Sequence, residues 1–177
     1  VKEPQESEWK MLNEEQILFT YLHLAADPKQ AKGLMDAKCH AIAYETITDN
    51  KGALPLLAPM SEIAGRLAVF EGAYHLKKTC GGPGSLISGV PGVKPAKVII
   101  LGGGMVGTNA AKMAIGVGAD VTIFDKSIER LRYLDDIFGN SAKVLYSEPV
   151  ELKKLFKEAD LVVGAVLIPG ASAPKLI

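Results

Sequence analysis

The sequence predicts an α/β protein built on parallel sheets, and three features of its 177 residues predict it. From residue 96 onward, short β-branched runs alternate with amphipathic helical stretches, the pattern of βαβ units. A glycine triplet stands between the first of those runs and the helix behind it. The first third of the chain carries a shorter strand, helix and strand of its own.

Each element has a local reason. "QILFTYLHL" (16–24) reads as a buried parallel strand, because its apolar run is nearly continuous. Asp27 and Pro28 supply an N-cap and a first helical position for "PKQAKGLMDAK". "HAIAYETI" (40–47) reads as the next strand, and "SEIAGRLAVFEGAYHLKK" (61–78) as a long helix with Ser61 as its N-cap. Residues 79–95 are rich in Gly and Pro and carry no charge before Lys94. A flexible linker is more polar than this, so the segment is expected to be an ordered loop packed on the protein. Then follow a strand (96–102), a helix of small residues (105–118), a strand ending at Asp125 (119–125), and a helix capped by Ser127 and ended by Gly139 (127–139). A third strand (142–147), a helix in "EPVELKKLFKEA" and a fourth strand in "DLVVGAVL" complete the series. The boundary between two α/β lobes falls near residue 56, dividing 1–55 from 56–177, and no internal repeat is present.

Composition narrows the partners. Twenty basic residues balance twenty acidic ones, with no block of like charge, so nothing points to nucleic acid or an anionic membrane. The apolar runs are too short to span a bilayer and no signal segment is apparent, which implies a cytoplasmic address. Cys39 and Cys80 share no metal-binding or CxxC spacing and read as reduced thiols; no metal site is expected.

The glycine triplet carries the chemistry. "VIILGGGMVGTNAA" places Gly102, Gly104 and Gly107 in G-x-G-x-x-G register, directly after a strand and opening a helix. The first glycine makes the tight turn, the second lets backbone approach a pyrophosphate, and the third lets helix pack on strand. Asp125 ends the second strand roughly 20 residues on, where a carboxylate bonds the adenosine ribose hydroxyls. Together they predict a Rossmann-type domain that binds NAD. Asp125 would repel a 2′-phosphate, which favours NAD over NADP, although Lys126 and Arg130 stand nearby. The bland reading is a glycine-rich turn that binds nothing and an aspartate that caps the next helix.

Longer stretches carry a resemblance. "VKEP", "ILFTYLHLAA", "IAYET", "LPLLAPMSEIAGRLA", "GVPGV", "VIILGGGMVGTNAAKMA" and "ADLVVGAVLIPGASAPKL" together resemble the alanine dehydrogenase family, shared with the NAD-binding part of the nicotinamide nucleotide transhydrogenases. The likeness runs essentially from end to end. It implies a hexameric enzyme that interconverts L-alanine and pyruvate with NAD, releasing or using ammonia, and it makes the first lobe part of a substrate domain. By position, Lys2 would hold the substrate and His23 would act in acid/base chemistry. Ser61 would meet the pyrophosphate, Asp125 the ribose, and Arg130 and Ser147 the adenine end, while Val166 and Leu167 would pack near the nicotinamide. The family's substrate arginine would precede Val1, and its catalytic aspartate and nicotinamide-side loop would follow Ile177. The chain is therefore expected to be a fragment with little activity by itself.

The residues alone leave two of these open. His23 reads first as a core histidine satisfied by a neighbour, yet it sits at the carboxyl end of a strand, where α/β sheets place their crevices, and an imidazole transfers protons near neutral pH. Lys2 alone reads as a solvated end; the resemblance makes it a buried ammonium that polarises a carbonyl. His40 and His75 are assigned no role. Two rivals remain, a transhydrogenase NAD-binding domain and a non-catalytic NAD-binding module, and neither needs Lys2 or His23.

Overall fold

The structure, a computed structural model, describes residues 2–166. The chain forms two compact units, one reaching to Pro59 and the other spanning Met60–Val166.

The first unit holds α1 (Glu6–Trp9), β1 (Ile17–Thr20), α2 (Pro28–Ala37) and β2 (His40–Ala43). β1 and β2 pair in parallel, Ile17 opposite His40 and Thr20 opposite Ala43. Asp27 caps α2 as expected, its carboxylate accepting from the N–H groups of Lys29 and Gln30. Trp9 lies so close to Gly33 that a Cβ there would come within 2.7 Å of the indole, which locks α1 onto α2. Leu22 and Leu34 are buried, and buried Gln30 donates Nε2–H to the Leu22 carbonyl at 2.6 Å.

Two expectations for this unit are corrected. β1 is not a strand buried on both faces: Thr20 is buried, while Ile17 and Phe19 are exposed. A strand alternates its side chains between faces, and only one face of this two-stranded pair is packed among the described residues. β2 stops at Ala43 rather than at 47, because Tyr44–Thr46 turn into a short 3₁₀ helix.

The second unit contains α3 (Ala58–His75) from Met60 onward, β3 (Lys97–Leu101), α4 (Met105–Gly116), β4 (Asp120–Asp125), α5 (Ile128–Phe138), β5 (Lys143–Tyr146), α6 (Pro149–Phe156) and β6 (Leu161–Gly164). The four strands run parallel in the order β5-β4-β3-β6. Alternation along β3 divides the core. Val98 and Ile100 join Ala110, Ala111 and Ala114 of α4 and Leu134 of α5 on one face. Ile99, Leu101 and Phe124 join Leu152, Leu155 and Phe156 of α6 on the other. With both faces covered, the strands read as nearly unbroken apolar runs, and that is why they were legible.

α3 begins at Ala58, three residues before the expected start, and ends at His75. Ser61 is therefore inside the first turns and is not the N-cap; Pro59 sits where a missing N–H costs nothing. Residues 79–95 form the ordered, packed loop that the sequence implied. Gly84 donates N–H to the Leu76 carbonyl, Ala96 donates to that of Ile87, and Ser85 donates its hydroxyl to Asp160 at 2.9 Å.

Candidate functional site

In the second unit the predicted residues gather along the carboxyl ends of the strands. Gly102 follows β3 with φ at +96°, and its N–H donates to the Phe124 carbonyl at 2.7 Å. That left-handed backbone favours glycine. Gly107 is required by packing: a Cβ there would stand 1.8 Å from the Gly102 carbonyl oxygen. Gly104 differs from both. Its φ is −66°, and a Cβ there would meet nothing within 4 Å. The space beside Gly104 is open, and α4 starts there without a side-chain cap, so its first N–H groups face a place where an anion can sit.

Asp125, half-buried, holds this turn from β4. One carboxylate oxygen accepts from the Gly103 N–H at 2.7 Å and the other from the Ser127 N–H at 2.8 Å. The aspartate thus does the local work of the bland reading, and each oxygen keeps a lone pair for a further donor. Ser147, just past β5, donates its backbone N–H to the Asp125 carbonyl at 3.0 Å, so it stands beside Asp125. Arg130 lies on α5 and donates from Nε to the Gly103 carbonyl and from Nη2 to the Thr108 hydroxyl, the latter at 2.8 Å. Its guanidinium also covers the Tyr133 ring at 4.5 Å. Val166 closes the other side, since a Cβ on Gly102 would come within 2.9 Å of its Cγ2. Leu167 lies outside the described residues. Ser61 is one turn from Gly65, where a Cβ would stand 2.2 Å from the Val106 carbonyl oxygen, so α3 and the first turn of α4 touch closely.

In the first unit Lys2, Glu3, His23 and Gln30 line one cavity of about 440 Å³. His23 is not a core residue: its side chain is 39% exposed. Its backbone is left-handed, φ +48°, and its ring stacks against Tyr21 with centroids 6.2 Å apart. Its Nε2 lies 4.0 Å from a Glu3 carboxylate oxygen. Lys2 is not the buried ammonium of the expectation. Its side chain is 86% exposed with Nζ 3.9 Å from Glu3, because the backbone is tied inward, the Lys2 carbonyl accepting from the Thr20 hydroxyl at 2.9 Å. A larger hollow of about 600 Å³ beside α1 and α2 contains none of the predicted residues.

Two participants escaped the sequence reading. Glu45 folds its carboxylate onto the His23 turn, accepting from the His23 N–H at 2.6 Å and the Leu22 N–H at 3.2 Å. Burial pushes its pKa up, but the N–H groups of His23, of Glu45 itself and of Leu22, with the His23 charge, outweigh burial and hold it below the usual 4.5. Nothing in "IAYET" announces this contact, which spans 22 residues. Thr108 is the other; its place directly after Gly107 was the available signal. Among the described residues no cluster of His, Cys, Asp and Glu could hold a metal ion, and no helix is long and apolar enough to cross a membrane.

A parallel sheet of this order, with a glycine turn feeding α4 and an acid ending the neighbouring strand, defines a Rossmann-type nucleotide-binding unit. The chain belongs to the alanine dehydrogenase/PNT family. The family's C-terminal domain model matches residues 68–177 and its N-terminal domain model residues 1–64. Alanine dehydrogenases of Methanococcus maripaludis and Bacillus subtilis are 58% and 56% identical over all 177 residues. The chain spans about half the length of these curated relatives, 48% and 47%. A solved L-alanine dehydrogenase is 54% identical with a TM-score of 0.89, over 99% of this chain and 49% of that one. A transhydrogenase from Sinorhizobium meliloti shares the fold, with a TM-score of 0.77 at 20% identity over 99% of this chain and 52% of that one. The family's enzymes use a nicotinamide nucleotide. The open Gly104, the uncapped α4 and the spare lone pairs of Asp125 fit such a group.

Proposed function

We propose that this chain is the cofactor-holding segment, with part of the substrate-handling segment, of an NAD-dependent alanine dehydrogenase. The reaction takes L-alanine, NAD and water to pyruvate, ammonium, NADH and a proton, and it runs in reverse as reductive amination. The similarity to alanine dehydrogenases over the whole chain carries this reading. The placing of Lys2 and His23 on one cavity supports it against a nucleotide carrier that handles no amino acid.

The division of labour follows from the residues. The glycine turn, Ser61 and the start of α4 take the pyrophosphate, and Asp125 takes the ribose hydroxyls. Arg130 and Ser147 flank the adenine, and Val166 with Leu167 backs the nicotinamide. His23 moves the proton between water and the substrate nitrogen or oxygen, and Lys2 draws in the substrate's negative end. The bound nucleotide supplies the hydride acceptor. Within the family likeness, the enzyme is a cytoplasmic hexamer; light scattering on the eluted oligomer tests that assembly.

The cofactor reading is tested on the chain itself by titration with NAD and NADP. NAD binds more tightly, and Asp125→Ala narrows the difference; equal dissociation constants in the unsubstituted chain overturn the preference. The reaction is tested in a protein that carries this segment at the relatives' full length, by loss of NADH absorbance with pyruvate and ammonium. Loss that persists without ammonium contradicts an amination. There His23→Ala lowers kcat by roughly 10²–10⁴-fold with NAD affinity nearly unchanged.

A further inference from the structure

Thr108 is buried in the first turn of α4, and neither the glycine motif nor the family reading gives it a task. Its hydroxyl donates to the Gly103 carbonyl at 3.0 Å and accepts from Arg130 Nη2 at 2.8 Å, while Arg130 Nε donates to the same carbonyl. Hydroxyl, carbonyl and guanidinium close a ring. On the preceding peptide, the Gly103 N–H is held by Asp125. Two consecutive peptide planes of the turn are thus anchored by side chains from α4, α5 and β4.

The second plane matters for binding. A trans peptide is planar, so its N–H points opposite to its C=O. With the Gly103 carbonyl drawn to Thr108 and Arg130, the Gly104 N–H is aimed away from that cluster, and Gly104 is the residue whose open side admits a ligand. Gly103 is closely covered as well, since a Cβ there would collide with Leu134.

We propose that Thr108 is a positioning residue for the cofactor: through Arg130 and the Gly103 carbonyl it aims the Gly104 N–H at the pyrophosphate. The inference rests on the reading of this turn as the NAD site. It separates Thr108, buried behind the turn, from Arg130, which also flanks the adenine in that reading.

The test compares Thr108→Val and Thr108→Ser in the full chain by calorimetric titration with NAD, and follows the Gly104 amide by NMR in the nucleotide-free protein. Valine keeps the shape and removes the hydroxyl; it weakens NAD by about fivefold to twentyfold, the worth of one or two hydrogen bonds. It also shifts the Gly104 amide resonance and speeds its exchange. Serine restores both to within about twofold of the parent, which a purely structural role in α4 does not require. If the valine variant does not fold, Arg130→Lys in nucleotide-free protein must produce the same Gly104 amide changes. A folded Thr108→Val variant with parental NAD affinity, or an undisturbed Gly104 amide in whichever variant folds, overturns the proposal. An unsubstituted chain that fails to bind NAD overturns the cofactor reading, and this inference with it.

Discussion

The two units place their candidate functional groups on different supports. In the second, the candidate site is backbone: a glycine turn behind a sheet with both faces covered, its Gly103 N–H held by Asp125 and its Gly103 carbonyl by Thr108 and Arg130. In the first, the site is side chains on a turn after a two-stranded pair, whose Ile17, Phe19 and Ile42 stay exposed. Both turns are tied by a carboxylate, Asp125 accepting from the Gly103 N–H and Glu45 from the His23 N–H, but only the glycine turn stands on a sheet buried on both faces. Stability is therefore expected to be core-borne in one unit and polar in the other.

Substitution of aromatic residues tests that contrast most severely. Phe124 is fully buried and Phe19 is 49% exposed. Phe124→Ala is expected to cost about 3–5 kcal/mol in chemical denaturation, and Phe19→Ala far less. Equal costs would mean that the exposed face of β1 is covered in solution. A smaller effect belongs to the polar turn. Glu45→Gln keeps an acceptor but loses the charge, and a cost of about 1–2 kcal/mol is expected, confined to probes in the first unit such as Trp9 fluorescence.

The same carboxylate gives a pH signature. Its folded-state pKa is lowered from 4.5, so its stabilisation is complete above that value and is lost as pH falls through the lowered one. Denaturation midpoints of the first unit should fall below pH 4.5, and in Glu45→Gln they should fall less. The weakest effect is expected at the surface pair of Lys97 and Glu158. Although 2.6 Å apart, both are solvated, and their mutual pKa shifts, Lys97 up and Glu158 down through their hydrogen bond, do not translate into stability. Lys97→Met should leave the midpoint of the second unit unmoved.

Legibility in the sequence followed burial. β3 to β6 could be read to within a few residues because the covered sheet demands Val, Ile, Leu and Phe along most of each strand, and α5 because Ser127 accepts from Arg130 N–H and Gly139 takes φ +49°. β1 was misjudged because an apolar run does not reveal whether anything covers its second face. The start of α3 was missed because Ser61 is a good cap in a place where the chain had already turned at Leu54. The nearness of Asp125 to the glycine turn was legible through its spacing from the glycines. Glu45 and the ring around Gly103 are long-range contacts with no periodicity to show them.

The left-handed backbone of His23 has an engineering consequence. An L-residue other than Gly, Asn or Asp costs about 1–2 kcal/mol in that conformation, and glycine costs nothing sterically. His23→Gly would relieve this strain while discarding the imidazole, so a screen of variants ranked by heat resistance would favour glycine at position 23. Directed improvement of thermal tolerance must therefore hold position 23 fixed, or select for turnover at the same time, to avoid trading the proposed proton carrier for a more comfortable turn.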